Sequence, residues 1–254
     1  MKFALSCRQS PAYLEKADQI IVEFRDRKII PDLAEKYPEK DIILVQHYGE
    51  VLEHDDLNTW KILTREHLIV CLTQLSYVAE LKENGIPWYW GYPISSYYQL
   101  RAVKDMGACY ARLDAPLFFD LPRVKEVGVP IRIVPNVAYI DGLDRIDGVC
   151  GTWVRPEDID AYAEYVDAVE FEDCDQKKEA AMYRIYAEDK NWPTDLGLLI
   201  TNLNHTGTNR MIRSDASQSR ISCGQRCQEN NSCRLCYRML DIANPDMVKK
   251  YVNG

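Results

Sequence analysis

The sequence predicts an α/β protein, a (β/α) barrel of the TIM type carrying a small cysteine-rich, metal-binding extension at its C-terminal end. Three observations carry that expectation. Short apolar runs rich in β-branched and aromatic residues recur at even spacing, helical patterns with cap signals fall between them, and four cysteines cluster within residues 223–236. A doubly wound open sheet is the rival, but no Gly-x-Gly-x-x-Gly follows any strand run.

Nine runs read as strands: residues 3–6, 19–24, 42–46, 68–73, 87–92, 109–113, 130–135, 148–154 and 168–171. Several are apolar throughout rather than alternating, as expected for strands covered on both faces. A closed barrel needs about eight strands, so one run is expected to be a loop or an edge addition. Between them, the Ile29-Ile30 pattern runs into Lys36-Tyr37-Pro38 as a helix end, and Asp55-Asp56 opens an apolar-periodic stretch with carboxylates where the helix dipole favours them. Ser95-Ser96 reads as an N-cap with Gly107 closing the same helix, and Pro156 stands in the first turn of another. The barrel is assigned to residues 1–175. From 176 to 254 the chain reads as a helical and cysteine-rich extension packed on it: an amphipathic helix over 177–187, another candidate over 196–203, then a polar loop.

The 254 residues carry 46% hydrophobic and 28% charged side chains, enough apolar material for a core and unlike a disordered chain. No apolar stretch approaches the ~20 residues of a membrane-spanning helix. The start, Met1-Lys2-Phe3-Ala4-Leu5-Ser6-Cys7-Arg8, places a charge too soon after a short apolar run for a secretory signal, so a cytoplasmic protein with reduced cysteines is expected. A net charge of −8 argues against global attraction to nucleic acid or to an anionic membrane.

Cys223, Cys227, Cys233 and Cys236 follow a C-x3-C-x5-C-x2-C spacing. Four thiolates so close in sequence can converge on one ion or cluster, and the intervening Gln-Glu-Asn-Asn-Ser is loop material. The competing readings are reduced structural thiols or a regulatory disulfide pair. Zinc and a [4Fe–4S] cluster both suit four cysteines. Arg220, Arg226, Arg234 and Arg238 surround them, either simply solvated or forming a phosphate or nucleic-acid patch. Of the other cysteines, Cys71 and Cys109 read as buried small hydrophobes, while Cys7 falls at a strand end, where a reactive thiol or an extra ligand could stand.

In such barrels the C-terminal strand ends carry the active site. Polar residues there include Arg112 and Glu172 beside Glu23, His47, Asp114 and Glu170, and the last four are the candidates for general acid–base work, although strand ends are polar in any barrel. The run Trp88-Tyr89-Trp90-x-Tyr92 reads first as packing between barrel and helices, and second as a stacking wall for a ring.

The segment Gly151-Thr152-Trp153-Val154-Arg155-Pro156-Glu157-Asp158-Ile159, followed by Tyr162 and Val166-Asp167-Ala168-Val169-Glu170-Phe171, resembles a stretch of small relatives of the collagenase-like peptidase family. The likeness spans roughly residues 85–190. It implies a barrel protein with an iron–sulfur cluster that hydroxylates RNA bases or a quinone ring precursor. The family's ligand cysteines are scattered, whereas four here sit together, so no ligand position carries over. Two functions are therefore expected in competition. One is an iron–sulfur enzyme acting on a nucleobase or another small ring molecule. The other is a non-catalytic binding or assembly protein with a structural zinc site.

Overall fold

Eight of the nine strand runs close into one parallel barrel. The computed structural model describes residues 1–53, 67–136, 138–140, 149–152, 154–172, 174–190 and 221. The strands are β1 (Lys2–Ser6), β2 (Gln19–Glu23), β3 (Asp41–Val45), β4 (Leu68–Leu72), β5 (Trp88–Ile94), β6 (Tyr110–Leu113), β7 (Ile131–Ile133), β8 (Ala138–Ile140), β9 (Val149–Gly151) and β10 (Ala168–Val169). Going round the barrel, the order is β1-β10-β7-β6-β5-β4-β3-β2, every neighbour parallel. The run at 148–154 is the one left out of the barrel, but neither as a loop nor as an edge addition: its β9 pairs antiparallel with β8 in a separate two-stranded sheet.

Helices α1 (Pro11–Lys16), α2 (Ile30–Lys36), α3 (Val78–Glu83), α4 (Tyr97–Asp105), α5 (Ala115–Phe118), α6 (Leu121–Val127), α7 (Ile159–Tyr162) and α8 (Gln176–Tyr183) connect and cover the strands. Local chemistry sets their ends. Ser96 caps α4 by accepting from the Gln99 N–H, and Gln99 Oε1 reaches back to the Ser95 N–H, a reciprocal arrangement close to a capping box. Gly107 follows α4 at φ +84, a conformation that suits glycine after a helix end. Pro156 opens a 3₁₀ turn that runs into α7, so the segment carrying the family resemblance has structural duties here. Its Thr152 hydroxyl donates to the Val134 carbonyl, and Arg155 pairs with Glu157 at 3.0 Å.

Strand residues sort into two sets by the two-residue period of the strand. Leu5, Ile20, Leu44, Val70 and Trp88 face the helices, where they meet Leu81, Leu100, Val124, Tyr162 and Met182 in one large core. Ala4, Ile43, Ile69, Cys71, Tyr89, Tyr110 and Ala168 form a second, smaller cluster inside the barrel. α8 and the π-helical turn after it, Arg184–Asp189, belong to the outer core through Met182, Tyr183, Ile185 and Tyr186. This stretch follows β10 and bonds to the segment after β1, so it covers the seam where the barrel closes. The expected helix at 55–63 and the candidate at 196–203 lie outside the described residues.

Candidate active site

The barrel interior is not wholly apolar; a ladder of charged and amide side chains runs along its axis. At its lower end Lys2 Nζ pairs with Asp41 Oδ2 at 2.6 Å, and Gln19 Nε2 donates to the same oxygen at 2.9 Å. Burial opposes ionisation of Asp41, but the bonds from Lys2 and Gln19 outweigh it and hold the carboxyl below the usual range. Above it, Gln19 Oε1 accepts from Arg132 Nη2 at 2.5 Å.

Arg132 is fully buried, its guanidinium 5.1 Å from the Tyr89 ring centroid and 4.9 Å from that of Tyr110. Parallel register sets Arg112 beside Arg132 on the neighbouring strand. The repulsion this creates is answered by Glu170, two residues beyond Ala168, which itself pairs with Arg132. One carboxylate oxygen of Glu170 lies 3.2 Å from Arg112 Nε, and the other accepts from Arg132 Nη1 at 3.0 Å. Arg112 also pairs with Glu172 and donates to the Gly91 carbonyl at 3.1 Å. These charges are taken out of water but tightly matched, the only condition under which such burial is tolerated.

The ladder ends at an open cavity of about 1110 Å³ at the C-terminal mouth of the barrel. Three of the four expected acid–base residues line it: Glu23, His47 and Glu170. Asp114 does not; it stands at the end of β6, its carbonyl accepting from the N–H groups of Leu117 and Phe118. Glu23 Oε2 and His47 Nε2 are 2.5 Å apart, both partly exposed to the cavity. His47 is held by a tight turn. Its N–H donates to Glu50 Oε2, the Glu50 N–H returns to the His47 carbonyl, and Gly49 adopts φ +89 between them. Buried Gln46 anchors the turn by donating to the Glu50 carbonyl, while Thr73 of the next strand end bonds both to its carbonyl and to its side-chain oxygen. In the strand order β2 lies across the barrel from β6, so the Glu23–His47 pair and Arg112 face each other over the mouth.

Aromatic surface completes the wall. Tyr48 is 83% exposed and Tyr92 47%, and both line the cavity with Tyr89 and Phe171. Of the run 88–92, Trp88 packs outward among the helices, as the first reading expects, while Tyr89 and Tyr92 face the cavity. Cys71 also reaches the cavity wall, but burial pushes its thiol up to about 12, so it is a neutral thiol at physiological pH rather than a nucleophile. Cys7 is half-buried, its thiol also raised by burial, and it does not line the cavity.

Sequence reading passed over two residues here, Arg132 and Glu179, and counted Arg112 only among the polar strand ends. Arg112 and Arg132 each interrupt an otherwise apolar strand run, and a lone charge in such a run is the signal that marks a buried ion ladder. Glu179, on a helix read as part of the extension, also lines the mouth. Cys223, Cys227, Cys233 and Cys236, with Arg220, Arg226, Arg234 and Arg238, lie outside the described residues. Among the described residues no group of three or more His, Cys, Asp or Glu is placed to hold a metal ion. No helix among them is long and apolar enough to cross a membrane.

No protein-family profile matches the chain, and no curated protein matches its sequence. Among solved structures it is similar to a 3-keto-L-gulonate-6-phosphate decarboxylase from Vibrio cholerae, at 13% identity and a TM-score of 0.42 over 76% of this chain and 100% of that one. It is similar to a U32 peptidase at 14% identity and a TM-score of 0.42, over 67% and 92% of the two chains. A tryptophan synthase α subunit from Legionella pneumophila follows at 12% and 0.37, over 89% and 92%. Likenesses this slight assign neither family nor activity, and it is the strand pairing that makes this chain a closed (β/α) barrel.

Proposed function

We propose that the protein is an enzyme that performs acid–base chemistry on a small ring-bearing substrate held in the C-terminal mouth of its barrel. The observation that carries this reading is the Glu23–His47 pair at 2.5 Å, exposed on one wall of a cavity whose far wall presents Arg112. A carboxylate bonded to one imidazole nitrogen orients the ring and steadies its protonated form, leaving the other nitrogen to take or give a proton. Tyr48, Tyr92 and Phe171 offer faces against which a flat ring can stack. Arg112, already matched by Glu170 and Glu172, is suited to hydrogen-bond a neutral carbonyl rather than to capture a phosphate. A nucleobase or another heterocycle fits this set.

The same reading gives Cys223, Cys227, Cys233 and Cys236 to one metal centre, a [4Fe–4S] cluster or zinc, on the strength of their spacing. Among the described residues the mouth offers such a centre no ligand set of its own. When bound, a cluster would supply electron transfer and zinc a structural cross-link.

The test is a thermal-shift screen of nucleosides and heterocyclic metabolites, followed by turnover assays of the hits. Glu23→Gln and His47→Gln should each lower kcat by about 100-fold or more with the fold intact. Undiminished turnover in both variants would refute the assignment. Iron and zinc content of freshly prepared anaerobic protein decides the metal, and a protein free of both refutes that part.

A further inference from the structure

We propose that Glu179, on the helix that follows the last barrel strand, is a second catalytic group of the mouth, the proton donor that complements the Glu23–His47 pair. This inference rests on the reading of the mouth as an acid–base site. Glu179 lines the cavity and is only 6% exposed. Its Oε1 accepts from the Ser6 N–H at 2.8 Å and its Oε2 from Gln9 Nε2 at 2.6 Å, so the carboxyl is fixed by the end of β1 and the turn after it. Gln9 is held in turn, donating also to the Gln176 carbonyl at 2.8 Å, and Gln176 donates to the Arg8 carbonyl at 2.6 Å.

What sets Glu179 apart among the carboxyls of the mouth is burial without a counter-ion; Asp175, which also lines the cavity, is exposed to water. Glu23 has His47, Glu170 has two arginines and Glu172 has Arg112, whereas among the described residues Glu179 meets only neutral N–H donors. Removing a carboxylate from water without a cation favours the neutral acid. Burial accordingly raises the Glu179 carboxyl above its ordinary range, against the opposing pull of the Gln9 and Ser6 bonds. Carboxyls of one cavity thus stand in unlike surroundings, Glu170 between two arginines and Glu179 without a cation, the pattern by which one site holds both an acid and a base.

The proton balance is simple. His47 takes a proton from one substrate atom and becomes imidazolium held by Glu23. Glu179 gives the proton on its carboxyl oxygen to the substrate atom that gains electron density, and becomes carboxylate. Exchange with water after product release restores both groups.

The first experiment needs no substrate. Diazoacetamide esterifies only a protonated carboxyl, the acid proton moving to the diazo carbon as the carboxylate displaces N₂. At a pH just above the ordinary carboxyl range, peptide mapping of the intact protein should show Glu179 modified several-fold faster than the other carboxyls of the mouth, as expected of an acid that holds its proton longer and is reachable from the cavity. Carboxyl NMR of ¹³C-glutamate protein should show one high-titrating resonance that disappears in Glu179→Gln. An unmodified Glu179, or one titrating in the ordinary range, overturns the proposal. The second experiment uses the heterocycle returned by the screen. Glu179→Gln should lower kcat by about 100-fold with little change in KM, and should abolish the alkaline limb of the pH–rate profile. Full activity in Glu179→Gln with loss in His47→Gln overturns the proposal and leaves the Glu23–His47 reading standing; the converse result does the opposite.

Discussion

Arg132 is the residue on which the barrel interior turns. Removing its charge strands Glu170 with Arg112 alone and leaves Gln19 without its donor, so Arg132→Met should lose about 3–5 kcal/mol in urea unfolding. The double variant Arg132→Met with Glu170→Gln should recover part of that loss, because the uncompensated carboxylate goes with its partner. Simple additivity of the two single variants would show that the ladder is not coupled. Gly91 is a second sensitive point. A Cβ there would stand 2.9 Å from Cys71 Sγ and 3.2 Å from the Leu72 carbonyl oxygen, neither of which can swing away freely. Gly91→Ala should be destabilised by about 1–3 kcal/mol, with partial relief from Cys71→Ala, as read from thermal unfolding.

Among the elements, α8 matters most, because it joins the closing seam to the mouth. Tyr183 packs edge-on against Phe3 and Tyr13, and its hydroxyl donates to the Lys16 carbonyl at 2.9 Å. Tyr183→Ala should lose about 3 kcal/mol or more. Asp175 caps the helix by accepting from the Lys178 N–H at 2.8 Å, so Asp175→Ala should cost about 1 kcal/mol and loosen the first turn, which carries Glu179. Native-state hydrogen exchange checks the seam: β2 and β3 share five register pairs, whereas β1 and β10 share two. Amides along β2 and β3 should therefore be the slower to exchange, and equal protection at the two places would contradict this.

For the molecule as a whole, the axial carboxyls give stability a readable pH dependence. Asp41 is held below its ordinary value of 3.8, so its contribution is complete above that pH and is lost as the pH falls through the folded value. Asp41→Asn should flatten the acid limb of the stability curve. Glu179 has the opposite sign: its folded value lies above the ordinary 4.5, so stability declines as the pH rises past 4.5 until the folded value is passed. Glu179→Gln should therefore gain on the wild type as the pH rises, measured by urea midpoints at several pH values. A difference between the two that does not change with pH would mean that Glu179 titrates normally.

The chain by itself determined the strand–helix alternation, because a strand covered on both faces must read as an apolar run, and 68–72 is apolar at every position. It also determined the cap at Ser96 and the helical start at Pro156, which depend only on local backbone chemistry. Glu23, His47 and Glu170 were legible as polar residues at strand ends, but not as partners, since 24 residues separate Glu23 from His47 and only parallel pairing of β2 with β3 brings them together. That 148–154 leaves the barrel, that Arg112 stands beside Arg132, and that Glu179 returns to the end of β1 were decided by closure alone. Register and ring closure arise from the sum of many weak packing preferences over the whole chain, and no short window of sequence contains that sum.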